Sequence, residues 1–155
     1  MIYKEVETDL FSFDKDPRFL EGSAWYVQCI SSDLAMGAGI SIDFNIRFDI
    51  RRKLIEKYKG QIPEVGNTIY VPKVPIFNLV TKYKYFDKPT YEDFQYSLWS
   101  LKDLAAHAKA EVLYMPKIGC GLDKLTWSRV SKLIKNTFKD TDIEIVVATK
   151  KPDLI

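Results

Sequence analysis

Segments with the spacing of strands alternate with segments with the spacing of helices along this chain. That order constrains the fold more than any other feature. Ile2 to Val6 reads as a short strand, and Phe11 to Ser23, which carries Pro17 and Gly22, as a loop with at most one turn of helix. Trp25 to Ile30 is aromatic and β-branched, the composition of a buried strand. Ile40 to Lys59 reads as one helix, with Ile40, Phe44, Phe48, Ile55 and Tyr58 approximating one face. Pro63, Gly66 and Asn67 mark a turn, after which Thr68 to Val71 and Ile76 to Thr81 read as a hairpin with Pro72 and Pro75 near its bend.

Thr90 to Ala108 gives the clearest helix: Phe94, Leu98, Leu101, Leu104 and Ala108 recur every three or four residues, and Thr90 with Asp93 resembles a capping box. Val112 to Met115 is a strand. A helix starting at Thr126 follows, with Val130, Leu133, Ile134, Thr137 and Phe138 on one face, and Ile143 to Ala148 is a final apolar strand. The expected architecture is a three-layer α/β/α sandwich with a central mixed sheet. No linker or repeat divides the 155 residues, so one domain spanning 1–155 is expected, with Lys150 to Asp153 as a frayed tail.

Composition narrows the function. At a formal net charge of +2, bulk electrostatics do not favour a nucleic-acid binder. Cys29 and Cys120 have no second Cys or His at metal-ligand spacing, so neither a zinc site nor a disulfide scaffold is expected. The lone histidine, His107, falls in a helix. No apolar run reaches the roughly 18 residues of a membrane span. The N-terminus lacks a basic head followed by an apolar stretch, so no signal peptide is expected. A cytoplasmic monomer with no membrane association is the expectation.

Ligands of α/β folds bind where strands end and helices begin. Two loops occupy that position, Ser31 to Ile40 and Pro116 to Asp123, and each holds a Gly-x-Gly. Glycines let a backbone approach a ligand closely, and helix starts offer free N–H groups, so the two loops together suit a diphosphate; each alone reads equally as a tight turn. The P-loop signature and the third glycine of the dinucleotide fingerprint are both missing. A binder or hydrolase of a nucleotide derivative is the natural class.

Three side chains near these loops carry two readings each. Asp123 is an acid/base or a helix cap. Asp9 accepts from an adenine amino group or is a solvated turn residue. Lys82 is a solvated strand-end lysine or, with like charge on Lys84 and Lys73 lowering its pKa, a free amine able to attack an aldehyde-like sugar carbon.

Four blocks then fall in order: Cys29-Ile30-Ser31-Ser32-Asp33 with Met36-Gly37-Ala38-Gly39-Ile40; Leu79-Val80-Thr81-Lys82; Lys88-Pro89-Thr90-Tyr91-Glu92; and Met115-Pro116-Lys117-Ile118-Gly119-Cys120-Gly121-Leu122-Asp123. Together they resemble the macrodomain family, and most its terminal ADP-ribose protein glycohydrolase branch, over roughly Tyr3 to Thr149. Thr8 stands where the family usually has Gly. The paired asparagines of the other hydrolytic branch are missing from the Cys29 loop.

The resemblance implies an ADP-ribose pocket. Asp9 and Leu10 would face the adenine. Ser31 and Met36-Gly37-Ala38-Gly39-Ile40 would border the distal ribose, and the N–H groups of Ile118, Gly119, Cys120, Gly121 and Leu122 would wrap the diphosphate. It also implies catalysis by Lys82 as nucleophile and Asp123 as acid/base, without metal or cofactor. The implied activity is release of ADP-ribose from ester-linked Glu or Asp side chains of mono-ADP-ribosylated protein, through a covalent Lys82 adduct, with O-acetyl-ADP-ribose as a related substrate. The alternatives are a reader of ADP-ribose without turnover, or a hydrolase of ADP-ribose 1″-phosphate or of ADP-ribosylated nucleic acid. Of these, the nucleic-acid substrate is not favoured.

Overall fold

The computed structural model describes residues 1–150, so residues 151–153 of the expected tail lie outside it. The six strands are β1 (Ile2–Glu7), β2 (Ala24–Ser31), β3 (Thr68–Ile69), β4 (Ile76–Lys82), β5 (Val112–Met115) and β6 (Glu144–Thr149), in the spatial order β1-β6-β5-β2-β4-β3. Neighbouring strands run parallel except for the β3–β4 pair, which forms the expected hairpin. β4 and β5 are buried nearly throughout, as strands covered on both faces must be, and this is why they read as continuous apolar runs.

Period two along β2 sorts its side chains between two cores. Tyr26 and Ile30 pack on one face with Phe44, Ile50 and Leu54 of helices α2 (Ile40–Phe48) and α3 (Ile50–Tyr58). Val27 packs on the other with Phe94, Leu98 and Leu101 of α4 (Tyr91–His107) and Val130, Ile134 and Phe138 of α5 (Trp127–Phe138). A 3₁₀ turn, Leu10–Phe13, and the short helix α1 (Arg18–Glu21) join the first face. The result is the expected three-layer sandwich. No helix among the described residues is long and apolar enough to cross a membrane.

One helix expected over Ile40 to Lys59 is in fact two. Asp49 breaks it with a left-handed φ of 52°. Short polar residues tolerate that region better than others. Asn45 is the local cause: its side-chain oxygen accepts from the Arg51 N–H at 3.0 Å, in competition with regular helix bonding, while its amide nitrogen donates to the Met36 carbonyl at 3.1 Å. The break therefore ties α2 to the loop that precedes it.

A buried polar chain crosses the sheet beneath that loop. Ser41 donates to Gln28 at 2.8 Å, Gln28 donates to Asn78 at 2.8 Å, and Asn78 donates to the Ile69 carbonyl at 3.1 Å. Satisfied buried polar groups of this kind specify one arrangement, because a slip would leave each of them unpaired. Here they fix the first turn of α2 against β2 and β4.

Candidate active site

Because β5, β2 and β4 are parallel neighbours, the loops after all three emerge at one edge of the sheet. They enclose a cavity of about 710 Å³, within the range that holds a nucleotide-sized ligand. Its walls include Ser31, Met36 to Ser41, Lys82, Tyr85, Pro116 to Gly119 and Gly121 to Asp123.

Lys82 and Asp123 meet inside it. The Lys82 ammonium lies 2.5 Å from Oδ1 of Asp123, and both side chains are largely withdrawn from water, at 12% and 15% exposure. The Lys82 Nζ also donates to the Tyr85 carbonyl at 2.8 Å. A bulge aims the lysine. β2 and β4 pair in register up to Ile30 with Val80, after which Ser31 faces Lys82 rather than Thr81. The displaced Thr81 is buried, and its hydroxyl has no partner among the described residues.

Two readings from the sequence are corrected. Thr126, not Asp123, is the N-cap of α5, so Asp123 is free to face Lys82. Lys73 does not crowd Lys82: it sits in the turn before β4, and the strand's seven residues hold the two roughly 20 Å apart. The charge that meets Lys82 is the opposite one on Asp123.

The two Gly-x-Gly loops use their glycines differently. Gly39 has φ 61° and ψ −145°, a region in practice open only to glycine. At Gly119, φ is 75°, and a Cβ would come within 3.1 Å of Leu125 and Phe94. By contrast, a Cβ on Gly121 would touch nothing in the protein within 4 Å, and Gly121 lines the cavity. The space beside Gly121 is therefore open to the cavity.

Backbone donors are available on both sides. Gly39 caps α2 without a side-chain bond, leaving the first N–H groups of the helix beside the cavity, where they favour an anion. Of the five N–H groups expected in the second loop, those of Ile118 and Cys120 donate to the Pro116 and Lys117 carbonyls, while those of Gly119, Gly121 and Leu122 have no backbone acceptor among the described residues. The loops touch where Leu122 Cδ1 comes within 3.6 Å of a Cβ built on Gly39.

Cys120, Asp9 and Leu10 fall outside the cavity wall. Cys120 packs against the α4–α5 core, and Leu10 is buried in the opposite one. Asp9 caps the 3₁₀ turn by accepting from the Phe11 N–H at 2.9 Å. It follows β1 on the same sheet edge as the cavity, two strands beyond β5, about 10 Å at ordinary strand spacing. None of Trp25, Trp99 and Trp127 lines the cavity.

Neither thiol is poised as a nucleophile. Burial raises the Cys29 thiol well above its ordinary value, and the Asp123 charge raises it further. Burial pushes Cys120 up to about 11, with Lys117 opposing and Asp123 adding to the rise. Both stay protonated near neutral pH.

Sequence reasoning gave no role to Asp33 or Tyr85. Burial alone would raise the Asp33 carboxyl, but hydrogen bonds from Ser31 and from the N–H groups of Tyr85 and Ala35, with the Lys84 charge, hold it below the ordinary range. Asp33 lies in a quoted block, which was a signal; its bond to Tyr85 spans 52 residues and was not.

No family model matches the chain. It is 37% identical over 149 residues to the human protein named ADP-ribose glycohydrolase OARD1, covering 93% of this chain and 89% of that one. The bovine protein of the same name is 39% identical over 128 residues, covering 79% of this chain and 80% of the relative. Among solved structures, the macrodomain of Thermus aquaticus DarG superposes with a TM-score of 0.79 at 21% identity, covering 97% of this chain and 99% of that one. Thermosipho africanus DarTG, solved in complex with ADP-ribose, matches at TM-score 0.74 and 17% identity, over 100% of this chain and 43% of that one.

Proposed function

From the premise that this chain belongs to the macrodomain family, alongside the ADP-ribose glycohydrolases OARD1, and is therefore a hydrolase, we propose that it releases ADP-ribose from mono-ADP-ribosylated protein. The bond cleaved is the ester between C1″ of the distal ribose and a Glu or Asp side chain. One observation carries this reading: an amine and a carboxylate 2.5 Å apart inside a cavity with backbone donors on two sides.

Asp123 takes a proton from the Lys82 ammonium. The freed amine attacks C1″, a C–N bond forms, and the C1″–O bond breaks with its electron pair leaving on the substrate carboxylate. That leaving group is stable as an anion and needs no proton. The nitrogen then gives a second proton to solvent, since Asp123 already holds the first, which leaves a neutral Lys82–ADP-ribose adduct. Water then adds at C1″, the C–N bond breaks, and the proton held on Asp123 returns to the lysine. The net change is one water consumed, with free ADP-ribose and a free carboxyl group formed.

The first turn of α2 and the N–H groups of Gly121 and Leu122 hold the diphosphate. Ser31 and the Gly37 to Ile40 loop border the distal ribose. Asp9 serves the adenine end, along the sheet edge. The same pocket accepts O-acetyl-ADP-ribose, and from its 1″-O-acetyl isomer acetate leaves C1″ as the Glu carboxylate does.

A substrate panel tests the proposal: Glu-linked ADP-ribosyl protein, O-acetyl-ADP-ribose, ADP-ribose 1″-phosphate and ADP-ribosylated DNA, each with the unmodified protein and with Lys82→Ala. Turnover of the two acyl-linked substrates, lost in Lys82→Ala, supports it. Full rate in Lys82→Ala refutes the nucleophile, and turnover confined to the phosphate or to DNA refutes the leaving group.

A further inference from the structure

The loop after β4 is held in an unusual way. Tyr83, Tyr85 and Phe86 are exposed by 64%, 64% and 72%, so little apolar burial anchors it. Its own turn is local, between Lys84 and Asp87. What ties it to the body of the protein is the loop after β2. The Ser32 N–H donates to the Lys82 carbonyl at 2.8 Å, and the Asp33 N–H to the Tyr83 carbonyl at 3.1 Å.

The Asp33 side chain extends this pairing by one residue. Oδ1 accepts from the Ser31 hydroxyl at 2.5 Å and from the Ala35 N–H at 3.1 Å, and Oδ2 accepts from the Tyr85 N–H at 3.0 Å. On the other side of the same residue, the Tyr85 carbonyl accepts from Lys82 Nζ at 2.8 Å. Tyr85 is thus gripped at its N–H by Asp33, and at its C=O it grips the lysine.

A lysine amine sits on a flexible four-carbon stem, so where its nitrogen rests has to be imposed. Once Asp123 has taken a proton, two N–H groups and one lone pair remain. With one N–H kept on the Tyr85 carbonyl, a single staggered step about Cε–Nζ turns the lone pair toward the cavity without moving the nitrogen. Without that carbonyl, Asp123 is the only fixed partner and the amine is free to swing.

We infer that Asp33 is a positioning residue for Lys82, acting through the Tyr85 backbone to fix the acceptor that orients the nucleophilic amine. The inference rests on the reading of Lys82 as the nucleophile. It assigns a mechanical role to a carboxylate that does not itself reach the reacting atoms.

Asp33→Asn isolates the link. Asparagine has one acceptor oxygen. With that oxygen kept on Ser31 and Ala35, its NH₂ faces the Tyr85 N–H, donor against donor. Asp33→Ser is the second variant: its hydroxyl can retain the turn toward Ala35 but is too short to reach Tyr85. Turnover of a Glu-linked substrate and calorimetric ADP-ribose affinity are measured for both, with Lys82→Ala beside them. The expected result is a kcat lower on the order of 100-fold, with KM and ADP-ribose affinity close to those of the unmodified protein. An unchanged kcat in both variants, with Lys82→Ala inactive, overturns the inference and spares the proposed function. Parallel loss of affinity and kcat also overturns it, since that is the mark of a collapsed loop. Full turnover by Lys82→Ala removes the proposed nucleophile, and this inference with it.

Discussion

Lys82 closes β4 and Asp123 lies 41 residues later, beyond β5, yet their Nζ and Oδ1 atoms are 2.5 Å apart. β2 runs between the two strands, so the pair spans the end of the central strand of the site. The bulge at Ser31 aligns the lysine, and the capping of α5 by Thr126 leaves the aspartate free.

ADP-ribose should stabilise the fold. At 100 times its dissociation constant, a ligand specific for the native state contributes about 2.7 kcal/mol. For a chain of 155 residues that corresponds to a rise in Tm of roughly 5–10 °C. Differential scanning fluorimetry reads it directly, and a flat response would mean that the cavity does not take this ligand.

The glycines of the second loop should separate stability from affinity. Gly121→Ala meets no protein atom within 4 Å, so its melting temperature should stay near that of the unmodified protein while calorimetry shows weaker ADP-ribose binding. Gly119→Ala should lose about 1–3 kcal/mol of stability, from its positive φ and its 3.1 Å approach to Leu125 and Phe94. If Gly121→Ala binds as tightly as the original, the space beside it is not ligand space.

Acid should weaken the fold through Asp16. Hydrogen bonds from Arg18 lower its carboxyl from 3.8 to about 2 against the opposing effect of burial, and the Tyr114 hydroxyl lowers it further. The folded state thus favours the ionised form. This contribution is complete above pH 4 and is lost as pH falls toward 2. Asp16→Asn should cost roughly 2 kcal/mol at pH 7 and flatten the urea-midpoint profile between pH 4 and 2. An unchanged profile would show that the Asp16–Arg18 pair does not govern acid stability.

Thiol chemistry should be slow. With Cys120 at about 11 and Cys29 also raised, alkylation by iodoacetamide at pH 7.5 should proceed well below the rate of a free thiol, followed by mass spectrometry. Rapid labelling of either residue would reopen the question of which group is the nucleophile.

The elements easiest to read in the sequence were those whose burial follows a single period. α4 and α5 show their apolar faces, and β5 and β6 their continuous runs, because each packs mainly through its own pattern. The break at Asp49 was hidden because its cause is Asn45, whose two bonds reach out of the helix register. Lys82 and Asp123 stood out through their loops and the resemblance. The side chains of Cys120 and Leu10 belong to the two cores, which no local pattern in the sequence announced. Gln28, Asn78 and the Asp33–Tyr85 link carried no local pattern, since each makes sense only beside a residue distant in the chain.

The central claim is that the Lys82 amine bonds to C1″. Intact-mass and peptide mass spectrometry of Asp123→Ala tests it most directly, after incubation with a Glu-linked ADP-ribosyl substrate at mildly alkaline pH, where hydroxide replaces Asp123 as the base that frees the amine and no Asp123 acid remains to release the adduct. One added ADP-ribose is expected on the protein, mapped to Lys82 and absent in the Lys82→Ala/Asp123→Ala double variant. Turnover by the unmodified protein with no adduct in Asp123→Ala, or an adduct mapped to a residue other than Lys82, would contradict it.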